Sequence, residues 1–222
     1  MTPVYLAALV LIAASLSILM AGAFLVQQRT GNSGWVDTIW TFSLGLVGSL
    51  AALWPIGGSP WKARQWLVAA LVAGWSLRLG VNIAIRTAAI SDDPRYAAFA
   101  RQWGPDARRR MFVFLQNQAL GTIPLAFAIF VAARFPSDAL RLQDLVGTSI
   151  LLIAIAGEAL ADVQLKRFRE NPANEGRVCN VGLWRWSRHP NYFFEWFGWL
   201  AYPVIGLSAD YPWGLVTLLA PI

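Results

Sequence analysis

Glu195 lies within the run RWSRHPNYFFEWFGW, residues 185 to 199, four positions after Asn191 and among aromatic side chains. A carboxylate in such a setting is unstable unless something pairs with it. The same i, i+4 spacing recurs elsewhere: Glu158 with Asp162, Asp37 with Thr41, and Arg78, Asn82 and Arg86 extending it to i+8. On a helix, residues four apart share a face, so each set forms one polar stripe. Arg169, Arg188, His189 and Tyr192 lie next to these stripes along the chain. Arginines suit phosphate oxygens, whereas carboxylates and amides suit amino groups, ribose hydroxyls and a carboxamide. If these stripes converge, the cavity they make fits a dinucleotide.

Each group also has a plainer reading. Arg78 alone could reach the lipid headgroups along its own stem. Glu158 and Asp162 could cap an exposed helix end, and His189 before Pro190 could be an ordinary loop histidine. The basic run 108 to 110 reads as a topology signal, and Trp196, Phe197 and Trp199 read as packing or interfacial anchors. Convergence at one depth is what separates the functional reading from these.

The elements that must position the stripes are membrane helices. Of the 222 residues, 57% are hydrophobic and only 14% charged, with a mean hydropathy of +0.49, which excludes an ordinary soluble domain. Apolar runs long enough to cross a bilayer lie near 4 to 26, 36 to 54, 66 to 85, 112 to 133, 145 to 161 and 191 to 209. A seventh starts at Trp213 and is too short to cross by Ile222. The expected fold is therefore all-α: a polytopic helical bundle of about seven transmembrane helices in a single domain over residues 1 to 222, the last helix cut short. The first run lacks a basic leader and reads as a helix rather than a signal peptide. Cys179 is the one cysteine, and no Cys/His cluster predicts a metal. The net charge of +6 falls in loops between apolar runs, which favours anionic lipid headgroups over nucleic acid as partner.

Those loops set the orientation. With the N-terminus outside, thirteen Lys and Arg face inward, most of them in 86 to 111 and 162 to 190, against Lys62, Arg64, Arg134 and Arg141 outside. The positive-inside rule then places both large loops in the cytoplasm, in what would be a bacterial inner membrane. At about 1.5 Å of rise per residue, all the polar stripes fall within about 12 Å of that face.

The run GEALADVQLKRFRENPANEGRVCNVGLWRWSRHPNYFFEWFGWLAY resembles the steroid 5-alpha-reductase family, in particular its branch of short bacterial membrane proteins. LRLGVNIAIR and DDPRY are similar to that branch as well. The resemblance implies NADPH as cofactor. Glu158, Asp162 and Arg169 would hold its adenine and phosphate part, and Asn191 and Glu195 its nicotinamide end. Arg78, Asn82, Arg86, Arg188, His189 and Tyr192 are expected to complete the cofactor site. It also implies a lipid-like enone, such as a 3-keto-4-ene steroid, reaching the site from the bilayer. Asp37, in GWVDTIW, matches the family's ketone-polarising acid in position and character. A carboxylic acid kept protonated by an apolar site would donate to the substrate oxygen, with Trp40 and Trp75 beside the substrate.

The expected activity is thus NADPH-dependent reduction of a conjugated C=C bond by a monomer. The rival is a membrane methyltransferase of the isoprenylcysteine carboxyl methyltransferase type, which shares RHPNY and would bind S-adenosylmethionine. A lipid-binding protein without catalysis is the third reading.

Overall fold

In the computed structural model, which describes residues 2–55 and 62–221, the apolar runs fold as helices, and no strand forms among the described residues. The helices are α1 (Thr2–Thr30), α2 (Gly34–Leu53), α3 (Ala63–Ala88), α4 (Pro94–Trp103), α5 (Ala107–Ala133), α6 (Leu142–Glu170), α7 (Pro190–Trp199) and α8 (Ala201–Gly206). Among the described residues, five stretches are long and apolar enough to cross a membrane: Pro3–Thr30, Gly34–Leu53, Ala63–Ala88, Pro94–Ala133 and Leu142–Glu170. The protein is a multi-pass helical membrane bundle. Leu6, Val10, Ile18, Leu50, Leu77 and Leu152 face outward, as helix faces in contact with acyl chains must, since every backbone polar group is already satisfied within the helix.

The last two expected spans take a different form. The run 191 to 209 divides at Leu200 into α7 and α8. Pro203 explains the division, because its ring occupies the space of the carbonyl four residues earlier, that of Trp199. The run from Trp213 folds as a 3-10 helix, Pro212–Leu219, against α5 and α8. The two polar loops also hold more structure than expected. Residues 86 to 111 contain α4, and α6 continues to Glu170. α4 starts where Asp93 Oδ1 accepts the Arg95 backbone N–H at 2.9 Å, with Pro94 at the first helical position. The Arg95 side chain also bonds Asp93 and holds its carboxyl below the usual carboxylate range. Stability from this cap is therefore present at neutral pH and lost only as pH falls through the lowered value.

Adjacent pairs α2 with α3, α1 with α5 and α6 with α7 build the bundle. Its core holds Leu16, Met20, Leu44, Val68, Leu115 and Phe130. At one end, Arg64 grips Asp144 through two 2.8 Å hydrogen bonds, with both side chains almost fully buried. The remaining guanidinium N–H groups reach the carbonyls of Phe135, Ser137 and Ala139. Asp144 also caps α6 by accepting the Arg141 N–H at 2.6 Å. Arg64 is thus a buried clamp rather than a loop cation. By tying the start of α3 to the start of α6, it sets the register in which their opposite ends meet.

Candidate functional site

Those opposite ends carry the polar stripes, and there the stripes converge. Arg78 on α3 reaches α6, with Nη1 2.7 Å from Glu158 Oε1 and Nη2 2.5 Å from Asp162 Oδ2. Asn82, one turn on, donates to the same Asp162 oxygen at 3.0 Å. From α7, Asn191 Nδ2 approaches Asp162 Oδ1 at 3.5 Å. Glu195 finds its partner in the Trp75 indole N–H, which donates to Oε2 at 3.0 Å. α7 can lie this close to α6 because Gly157 has no side chain: a Cβ there would sit 2.4 Å from the Phe194 ring.

Two adjoining cavities open around this cluster. The inner one, about 350 Å³, is lined by Asp37, Trp40, Asn82, Glu158, Asp162 and Glu195, together with Arg95 and Gln118. The outer one, about 420 Å³, is lined by Arg169, Arg177, Arg188, His189, Cys179 and Trp184. Arg86, Asn191 and Tyr192 belong to both and form the shared wall. The segment leading into α7 walls the outer cavity because it is docked on α6. Gly182 turns the chain at φ 55°, the Leu183 N–H donates to Gln164 Oε1 at 2.8 Å, and the Trp184 indole donates to the Ala161 carbonyl at 2.8 Å. His189 stacks on Tyr192, with ring centroids 5.2 Å apart.

The two cavities differ in charge. Four guanidiniums line or border the outer one, and among the described residues none of Arg86, Arg169, Arg177 and Arg188 has a carboxylate within ion-pair distance. The inner cavity holds the carboxylates, and apart from Arg86 on the shared wall its cations, Arg78 beneath it and Arg95 at its wall, are already paired. Two acceptors at its wall are unsatisfied: Asn191 Oδ1 and Gln118 Oε1 are buried without partners.

Several sequence expectations change here. Arg78 does not face a phosphate; it neutralises Glu158 and Asp162. Those two acids sit in the inner cavity with Glu195 and not beside Arg169, so the expected adenine and phosphate group is split between the cavities. Trp75 is buried and holds Glu195 from beneath rather than lining a substrate path. Trp40 does line the inner cavity, its indole donating to Thr122 at 2.7 Å. Asp37 lines it too, but both of its oxygens are acceptors: Arg95 Nη2 donates to Oδ2 at 2.5 Å and the Tyr96 hydroxyl to Oδ1 at 2.7 Å. With both oxygens already accepting from fixed donors, Asp37 is arranged as an acceptor and not as the donor expected.

Four residues of the site carry weaker signals in the sequence: Arg177 and Arg95 read as loop charge, Tyr96 sits in DDPRY, and Gln118 is a polar residue inside an apolar run, which is itself a signal of buried function.

No curated protein and no solved structure matches the chain. A family model matches residues 23–222, and the chain therefore belongs to the family described as "Protein of unknown function (DUF1295)".

Proposed function

We propose that this protein is an NADPH-dependent reductase of a conjugated, lipid-like ketone, related in chemistry to the steroid 5-alpha-reductases. The observation that carries the reading is the pair of joined cavities of unlike charge. Four unpaired guanidiniums match a dinucleotide diphosphate plus a ribose phosphate, the latter a monoester bringing about −1.5 to −2 charges. The orphaned Asn191 Oδ1 on the shared wall is an acceptor suited to a carboxamide N–H. The residues present thus fit the cofactor: Arg86, Arg169, Arg177 and Arg188 would hold phosphates, and Asn191 would hold the nicotinamide carboxamide. When bound, NADPH would supply a hydride to the β-carbon of the enone, with a proton from water completing the α-carbon.

The remaining work falls to the chain. Trp40, Leu79 and Ile83 supply the apolar part of the inner cavity, against which a lipid-like substrate would rest. Asp37 fixes the Arg95 guanidinium there, and that guanidinium is placed to meet negative charge building on the ketone oxygen. Asp37 is thereby a positioning carboxylate. Glu195, held by Trp75, fixes the floor.

S-adenosylmethionine carries a sulfonium and no phosphate, so the unpaired guanidiniums weigh against the methyltransferase reading. Titrating the purified protein in detergent with NADPH, NADH and S-adenosylmethionine tests the proposal. NADPH should bind tightest, and Arg169→Ala should weaken it by about 1.5 to 3 kcal/mol while leaving S-adenosylmethionine unchanged. An equal loss for both ligands would mean that the substitution disturbs the fold, and tighter binding of S-adenosylmethionine by the unaltered protein would reverse the assignment.

Cytosolic NADPH requires the two cavities to face the cytoplasm, as the loop charges predict. With Cys179 replaced by serine, a cysteine at exposed Ser91 should resist a membrane-impermeant thiol reagent in intact cells and react after lysis. Labelling in intact cells would place the site on the wrong face.

A further inference from the structure

A third cavity, about 470 Å³, shares no residue with the other two. Asp106, Arg109, Arg110, Val113, Phe114 and Asn117 line it, and Trp103 closes it from the end of α4. Along the chain these positions run i, i+3, i+4, i+7, i+8 and i+11, a single face of α5 and the turn that leads into it. The face changes character along its length, from cations at the end of the helix to Val113 and Phe114 further into the apolar run. Two of its lining rings, Trp103 and Phe114, are packed against each other and against Phe99.

A topology signal needs only charge on the correct side. It does not need two of three consecutive arginines to share one cleft with an apolar floor. Arg109 and Arg110 also lie in the first turn of α5, where the helix dipole disfavours cations. Among the described residues neither has a carboxylate at ion-pair distance. Asp106 is the one acid on the wall, and the two arginines outnumber it. Val113 on this face is half exposed, as are Phe112 beside it and Leu120 deeper in the span, so the apolar part of the cleft is open to the bilayer.

We propose that this cleft binds the headgroup of an anionic phospholipid, with the phosphate against Arg109 and Arg110 and the first acyl carbons along Val113 and Phe114. A guanidinium pair grips phosphate oxygens through paired N–H donors, which an ammonium cannot reproduce. Arg108, adjacent in sequence but off this face, takes no part.

Native mass spectrometry of the full chain, with phosphatidylglycerol or phosphatidylcholine added to the detergent, tests this. One phosphatidylglycerol per chain should be retained, and phosphatidylcholine at least about tenfold less. Arg109→Ala with Arg110→Ala should lower phosphatidylglycerol retention about tenfold, while Arg108→Ala leaves it unchanged. Arg109→Lys with Arg110→Lys keeps the charge that directs insertion, so it still reports if the alanine pair fails to fold; it should lose several-fold. Equal retention of the two lipids, or an effect of Arg108→Ala as large as that of the pair, would overturn the proposal. Displacement of the lipid by inorganic phosphate at millimolar concentration would also overturn it, making the cleft a site for a free anion.

Discussion

Arg78→Leu is expected to destabilise the protein by about 3 to 5 kcal/mol, the usual cost of leaving buried charge without its partner. At about 2 to 4 °C per kcal/mol for a chain of this size, its thermal midpoint should fall well outside experimental scatter. Arg78 is the cation shared by Glu158 at 2.7 Å and Asp162 at 2.5 Å, and all three side chains are largely buried. Removing it strands two carboxylates between α3 and α6. If electrostatics rather than packing is responsible, adding Glu158→Gln and Asp162→Asn to Arg78→Leu should recover most of the loss, since the acids that need neutralising are gone. Thermal unfolding in detergent, followed by tryptophan fluorescence, measures both. A phosphate-binding Arg78 behaves differently: Arg78→Leu would weaken NADPH binding while leaving the midpoint in place.

That contrast illustrates what could be read from the sequence and what could not. The i, i+4 spacing put Arg78, Asn82 and Arg86 on one face of α3, and the i, i+4 spacing of Glu158 with Asp162 and of Asn191 with Glu195 did the same on α6 and α7. The structure brings those faces together. Helical periodicity is a local property, so the convergence was legible. The partner of each charge was not, because pairing depends on the rotation and depth of neighbouring helices. Both are set by contacts that periodicity does not show: the Arg64 clamp onto Asp144 at the far end and, within the site, the missing side chain of Gly157. The break in the run 191 to 209 could have been read from Pro203, whose ring excludes the helix carbonyl of Trp199. α4 is harder to read. Its sequence, PRYAAFARQW, is amphipathic but short, and hydropathy sees only a polar loop. Yet α4 delivers Arg95 and Tyr96 to the inner cavity. Asp93 caps it and Pro94 starts it, and these two residues were the available signal.

The same element governs the second large effect. Asp37→Ala should lower the rate of enone reduction by about 10² to 10³, the range seen when a donor to a developing oxyanion is lost, while NADPH affinity changes little. The argument rests on the reductase reading and on the two bonds Asp37 accepts, one from Arg95 and one from Tyr96. Without the carboxylate, Arg95 retains only Asp93 as an anionic partner, at 2.8 Å, and swings toward α4, away from the cavity wall. Asp37→Asn separates this arrangement from a protonated acid. An asparagine could still donate a hydrogen bond to a substrate oxygen, so under the acid reading it would preserve part of the rate. As a positioning carboxylate, Asp37 needs its charge to hold the guanidinium, and Asp37→Asn should then be impaired nearly as much as Asp37→Ala. Arg95→Lys, which keeps a cation at the wall, should be impaired less than Arg95→Ala. Consumption of NADPH at saturating cofactor, with a 3-keto-4-ene steroid and with open-chain enones, gives kcat and KM for each variant. A loss confined to KM would reduce Asp37 to a substrate contact, and unchanged turnover in Asp37→Ala would remove the Asp37 and Arg95 pair from the mechanism. NADPH binding without turnover of any enone would leave the dinucleotide site standing and the reductase reading overturned.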